Sequence, residues 1–170
     1  MKQLSVVLFA CLVLISFSCS EDEDGGSDSS YEFKEQVAQG TINDKDWTLG
    51  SGYASSSSND RLSINLFGKD FETPCDVFSD RGVLIFFTLD NKVGVTELKF
   101  DFDDLDNSKT ATFLDPDAGG DFGPLNIIAT EGAIEILSVT DSEVKGRLDI
   151  RNGGDNTSSV NGNFTIDICQ

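Results

Sequence analysis

The 170-residue chain predicts an all-β fold. The expected architecture is an antiparallel meander of about nine or ten short strands, forming a β-sandwich or a flattened barrel. Three observations carry this. Apolar and polar residues alternate with a period of two from Gln36 to Ile168, the signature of strands with one face buried. No stretch of useful length shows the 3.6-residue periodicity of an amphipathic helix. Short clusters of Asn, Asp, Ser and Gly punctuate the alternation at the spacing that turns require.

Taken in order, Gln36–Ile42 is the first expected strand, turned by Asn43-Asp44-Lys45-Asp46 into a second over Trp47–Ser56. Arg61–Gly68 sets Leu62, Ile64 and Leu66 against Ser63 and Asn65. A Pro-containing loop then carries Cys75. Gly82–Leu89 is apolar on both faces, which predicts a central strand covered on both sides. In Gly94–Phe102, Leu98, Phe100 and Phe102 are expected inward, with Lys99 and Asp101 outward. Lys109–Leu114 is shorter, and a loop rich in Asp, Gly and Pro runs on to Pro124. Leu125–Thr130, Gly132–Val139, Val144–Arg151 and Ser159–Ile168 complete the set. In the last two, Val144, Leu148, Ile150, Val160, Phe164, Ile166 and Ile168 share the buried alternation. Local connections favour the meander.

The front of the chain reads differently. Lys2 precedes an apolar run from Leu4 to Phe17, shorter than the ~20 residues a membrane-spanning helix needs, so residues 1–18 read as a signal peptide. Ser16-Phe17-Ser18-Cys19 resembles a bacterial lipobox, which implies lipidation of Cys19 after cleavage before it. Acyl chains contribute ~0.8 kcal/mol per buried CH₂, so two or three on one residue hold a protein to a membrane. Residues 19–31 form an acidic, Ser- and Gly-rich tether that buries too little apolar surface to order itself. Within it, Ser20-Glu21-Asp22-Glu23-Asp24 resembles the signal that sends flavobacterial lipoproteins to the outer face of the outer membrane. Residues 32–170 are the single domain.

The chain carries 30 acidic and 12 basic residues, no histidine, and a net charge of −18. Loss of the leader, whose one charge is Lys2, makes it one unit more negative. Such a chain is repelled by nucleic acid and by anionic lipid surfaces, so no nucleic-acid partner is expected. Of the four cysteines, Cys11 falls in the leader and Cys19 is taken by lipid. Cys75 and Cys169 remain, an even pair in an oxidising compartment, and a disulfide is the default.

The opening Gly40-Thr41-Ile42-Asn43…Trp47 and the close Val160-Asn161-Gly162-Asn163-Phe164 resemble a group of Bacteroidota (flavobacterial) surface lipoproteins with an all-β domain. That resemblance implies secretion and a β fold and brings no established activity with it.

Candidate chemistry is sparse. Asp101, Asp103, Asp104 and Asp106 form one acid cluster; Asp115, Asp117 and Asp121 form another in a Gly-rich loop. The second is the candidate metal set, for Ca²⁺, a hard cation that takes six to eight oxygens; otherwise no cofactor is expected. Neither run has EF-hand spacing. Trp47 and Tyr53 are the candidate stacking residues for a sugar ring, against the alternative that Trp47 anchors the core. No histidine-based or nucleophile-elbow motif is present, so a non-enzyme is expected. The leading reading is a surface lipoprotein that binds a glycan or protein partner through loops at Gly50–Asp60 or Asp115–Pro124. Two others stand beside it. A lipocalin-like carrier requires an internal cavity lined by Phe86, Phe100 and Phe113, and a hydrolase requires two acids converging in a cleft.

Overall fold

The computed structural model describes residues 31–57, 59–153 and 158–169. The signal peptide, Cys19 and all of the tether before Tyr31 lie outside the described residues. Among the described residues eleven strands form one sheet, and the fold is all-β as expected. They are β1 (Gln39–Ile42), β2 (Lys45–Thr48), β3 (Ser51–Ser57), β4 (Arg61–Phe67), β5 (Leu84–Asp90) and β6 (Gly94–Glu97), then β7 (Ala111–Asp115), β8 (Leu125–Ala129), β9 (Glu131–Val139), β10 (Glu143–Arg151) and β11 (Ser159–Cys169). Hydrogen-bonded neighbours run β6-β9-β10-β11-β3-β4-β5-β7-β8, and β1 adds to β11 and carries β2.

This order forces the sheet to curl. β8 and β9 are separated by Thr130 alone, yet β8 ends the path at one side while β9 lies next to its other end. One bent stretch of chain therefore serves both margins, and between them the sheet folds around its own inner face. An antiparallel bridge between Lys99 and Lys109 ties the chain leaving β6 to the chain entering β7, drawing the margins together. Gly132 makes the bend possible. Its φ is +97°, and a Cβ there would lie 1.9 Å from the Asp149 carbonyl oxygen, so only glycine fits. The result is a single curled sheet, the flattened-barrel alternative, with one core cluster inside.

That core is drawn from both halves of the chain. Ile42, Leu62, Ile64, Ile85, Phe113, Ile134, Leu148 and Ile150 are all inaccessible or nearly so. The expected alternation holds in β10 and β11, where Val144, Leu148, Ile150, Val160, Phe164 and Ile166 point inward. Ile168 is half-buried at the rim of the core.

Four features depart from expectation. First, the meander is interrupted. β11 pairs with β3 in parallel through Asp167–Tyr53, Ile168–Ala54 and Cys169–Ser55, which makes the sheet mixed. Second, the stretch Trp47–Ser56 splits into β2 and β3, because the chain changes partners at Leu49-Gly50. Leu49 N–H donates to the Ala38 carbonyl and Gly50 N–H to the Phe67 carbonyl, both at 2.9 Å. The turn before β2 is the two residues Asn43 and Asp44, with φ of 51° and 61°, a hairpin geometry that Asn and Asp tolerate. Third, β5 is central but is covered on one side only along much of its length. Ile85, Phe87 and Leu89 enter the core while Phe86 is 37% exposed on the opposite face. Fourth, pairing of β6 ends at Glu97, and Phe102, expected inward, lies beyond the last ladder contact and is exposed.

Cys75 and Cys169 form the expected disulfide, closing a 94-residue separation with Cα atoms 5.7 Å apart. Cys169 is the last residue of β11, so the bridge locks the parallel seam and also fastens the loop between β4 and β5. Replacing both cysteines by alanine is expected to lower the unfolding free energy by about 4–5 kcal/mol, the chain-entropy value for a loop of this span. Urea unfolding of the variant and of reduced wild-type protein checks this, and the two curves are expected to coincide.

Candidate functional site

The sequence-derived candidates do not converge. Asp115 is 1% exposed, and its carboxylate is occupied: Lys45 Nζ lies 2.7 Å from Oδ2. Asn43 Nδ2 also donates to Oδ2 at 3.3 Å, and the Asp117 N–H donates to Oδ1 at 3.1 Å. Burial raises the Asp115 pKa, but the Lys45 hydrogen bond, the Asp117 and Asn43 donors and the Lys45 charge outweigh it and hold the group below 3.8. Asp117 and Asp121 are exposed, and among the described residues no three acidic or cysteine side chains are grouped as a metal ion requires. The Asp115 cluster thus clips the first hairpin onto the end of β7.

Phe113 is fully buried, whereas Phe86, which pairs with Phe113's neighbour Thr112, points to the opposite face of the sheet. Phe86, Phe100 and Phe113 therefore do not line one internal cavity. Trp47 and Tyr53 are likewise parted. Trp47 is 4% exposed and donates from Nε1 to the Val83 carbonyl at 3.1 Å, which makes it a core anchor. Tyr53 is half-buried on the outer face of the sheet, its ring 5.9 Å from that of Phe67.

The outer face around Tyr53 carries a mixed row of aromatic and polar side chains. Residues paired in register point the same way, so Tyr53, Asn65, Phe86, Thr112 and Ile128 form one row across β3, β4, β5, β7 and β8. Phe67, Leu84 and Leu114 belong to the next row. The loop between β4 and β5 folds back over part of this surface. Its base is pinched where Gly68 N–H donates to the Val83 carbonyl at 3.1 Å. Phe71 packs edge-on against Phe67 at 5.3 Å, and Lys69 pairs with Asp80 across the loop at 2.7 Å. This cover explains why Phe67 and Leu84 are buried on an outward-facing row.

Beyond the cover a groove of about 560 Å³ opens, bounded by Phe78, Arg81, Leu84, Phe86, Leu114 and Pro116. A second of about 210 Å³ lies on the other flank of Phe86, with Arg61, Thr88, Lys109 and Thr112 on its walls. Phe86 belongs to both. Phe78 is 83% exposed at the lip of the first. The Nε atoms of Arg61 and Arg81 are buried without a hydrogen-bond partner, a condition that costs about 1–3 kcal/mol for each donor left unpaired.

A larger groove, of about 710 Å³, lies between the first hairpin and the outer face of β10 and β11. Several of its polar groups are matched within the protein. Asn161 accepts from Lys34 N–H at 2.9 Å and donates to the Glu32 carbonyl at 2.8 Å. Asp149 accepts from Glu32 N–H at 2.9 Å and pairs with Arg151 at 3.4 Å. These contacts, with Arg147 against Glu35 and over the Phe33 ring, strap residues 32–36 to the sheet. The strap already occupies part of this groove, whereas the Phe86 face presents exposed aromatic carbon.

Sequence reasoning missed Phe86, Phe78, Arg61 and Arg81 as surface-site residues. The signal available was the loop cysteine: a loop fastened by a disulfide is held in place, and its flanks border whatever it leaves uncovered. Comparison with known proteins finds no matching family model, no matching curated protein and no matching solved structure.

The depressed pKa of Asp115 generates a pH prediction. Its stabilising contribution is complete above the ordinary value of 3.8 and is lost as the pH falls through the lower folded value. Near neutral pH, Asp115→Asn is expected to lower stability by about 1–3 kcal/mol. Denaturant titrations of both proteins from about pH 6 to about pH 3 are expected to show this difference shrinking.

Proposed function

We propose that this chain is a non-enzymatic binding module, held at the outer membrane by lipid on Cys19 and presenting a rigid β domain on an acidic tether. The observation that carries the binding part is the outer face centred on Phe86. There an aromatic side chain is 37% exposed in mid-sheet, between two grooves, beside a disulfide-fastened loop. Mid-sheet positions flanked by strands on both sides are rigid, so a ligand meets a preformed surface and little ordering is required of the protein. The inner face of the sheet is occupied by one cluster of apolar side chains, which supports a site on its exterior. The anchor rests on the leader and Cys19; the domain rests on the fold; the two meet at the strapped residues 32–36.

Membrane attachment is tested by fractionation and by mass spectrometry of the mature N-terminus. Wild-type protein is expected in the membrane fraction with acyl chains on Cys19, and Cys19→Ala in the soluble fraction. An unmodified N-terminus removes the anchor.

The binding face is tested with Phe86→Asp and, as a control away from the face, Asp117→Asn. Glycan and surface-protein arrays probed with wild-type protein are expected to show signals that Asp117→Asn keeps and Phe86→Asp loses. Both variants are expected to unfold within a few degrees of wild type, since neither side chain belongs to the core. Retention of every signal by Phe86→Asp overturns this face as the site.

A further inference from the structure

Resting on the Phe86 face as the binding surface, we infer that its ligand is a neutral glycan: a short chain of uncharged sugar rings laid across Phe86. Charge is the first reason. Acids outnumber bases 30 to 12 in this chain, and the outward positions of β9, β10 and β11 follow that balance, with Glu131, Glu135, Glu143, Asp149 and Asp167 among them. The outer face of β3, β4, β5, β7 and β8 departs from it. Its row through Phe86 holds Tyr53, Asn65, Thr112 and Ile128, none of them charged. Ser55, Ser63 and Thr88 continue the uncharged surface on one side of that row, as Phe67, Leu84 and Leu114 do on the other. Covering a charged group strips away its water at a high cost, whereas an uncharged face is covered at little cost by an uncharged ligand. Charge returns at the rims: Asp80 and Arg81 border the larger groove, Arg61 and Lys109 the smaller. With Asp80 opposing an anion and Arg81 a cation, the larger groove favours neither sign.

Side-chain chemistry selects a sugar among neutral ligands. Phe86 and Phe78, 37% and 83% exposed, border the same groove, and exposed rings suit the C–H face of a pyranose. In register on either side of Phe86 stand Asn65 and Thr112. Among the described residues their amide and hydroxyl make no hydrogen bond within the protein. A purely apolar molecule would cover these groups and strip them of partners, whereas sugar hydroxyls match them. Size argues against a second copy of the chain. Five strands about 4.8 Å apart, crossed by three rows about 7 Å apart, span roughly 400 Å², and the loop between β4 and β5 covers part of that. A stable interface takes about 800 Å² from each partner. A peptide is no better served, since β4, β5 and β7 are each flanked on both sides and offer no free edge for it to extend. The two grooves that meet at Phe86 form one path along the strands, which an elongated oligosaccharide fits.

Cellohexaose, mannohexaose and laminarihexaose are the probes, with hexagalacturonate as the charged comparison. They are titrated calorimetrically into the full-length protein, held in a detergent without a sugar headgroup. At least one neutral hexamer is expected to bind more tightly than hexagalacturonate, and raising the salt from about 50 mM to about 500 mM is expected to leave its affinity unchanged. Phe86→Ala and Phe78→Ala are each expected to weaken it about tenfold. Thr112→Val, which removes a hydroxyl and keeps the volume, is expected to weaken it about threefold to tenfold. All three variants are expected to unfold within a few degrees of wild type. No binding of any neutral hexamer, tighter binding of hexagalacturonate, or indifference to Thr112→Val overturns the inference. The two levels separate cleanly. If no hexamer binds while array signals are still lost in Phe86→Asp, the face stands and its neutral-glycan ligand falls. If a hexamer binds wild type and both phenylalanine variants alike, the face itself is wrong. A dimer seen by sedimentation velocity and dissociated by Phe86→Asp gives the face to a second copy and also overturns the inference.

Discussion

Everything in this molecule hangs on a short seam. Three parallel residue pairs, from Asp167–Tyr53 to Cys169–Ser55, join the last strand to the strand that opens the N-terminal half of the sheet. That seam is where two antiparallel ribbons of strands join: β3, β4, β5, β7 and β8 in one, and β6, β9, β10, β11, β1 and β2 in the other. Parallel pairing is slightly weaker per residue than antiparallel pairing, and a contact between residues more than a hundred apart in sequence is costly in chain entropy. The disulfide of Cys169 to Cys75 sits at the end of this seam and opposes that cost covalently. The bend at Gly132 carries the chain from the other margin of the sheet back toward the first, so that the inner faces of both ribbons enclose one core.

Curling determines where chemistry can occur. A sheet curled around side chains such as Phe113, Leu148 and Ile150 gathers its inner apolar groups into one cluster, and the outer face carries its own apolar side chains at Phe67, Leu84 and Phe86. There the same disulfide has a second effect. The loop it fastens covers Phe67 and Leu84, and the cover stops short of Phe86. One covalent bond thus both holds the halves together and borders the groove. With so many acids present, most cations among the described residues are neutralised in pairs, as Lys45 is by Asp115 and Arg147 by Glu135.

Much of this was legible in the residues, for identifiable reasons. Period-two alternation in β10 and β11 reports burial directly, because side chains alternate between the faces of a strand, and Val144 to Ile166 fall where that rule puts them. The disulfide followed from counting cysteines. The site was far less legible. Asp115 looks like a ligand in an acidic loop, and its partner Lys45 stands 70 residues earlier. Gly82–Leu89 looks covered on both faces, since an apolar run does not distinguish a strand under a partial lid from one buried throughout. Trp47 and Tyr53 look equivalent, yet the chain's change of partners at Leu49-Gly50 sends one inward and leaves the other outside.

By itself the sequence determined what is local: strands where apolar residues alternate, turns where Asn, Asp and Gly cluster, and a cysteine pair able to bridge. Only the tertiary structure decided which strands became neighbours, that β11 would meet β3 in parallel, and that Phe86, Arg61 and Arg81 would share one face. The physical reason is range. Alternation and turn chemistry act over a few residues, whereas sheet order is settled by long-range pairing, where burial and ladder hydrogen bonds compete with loop entropy across the whole chain.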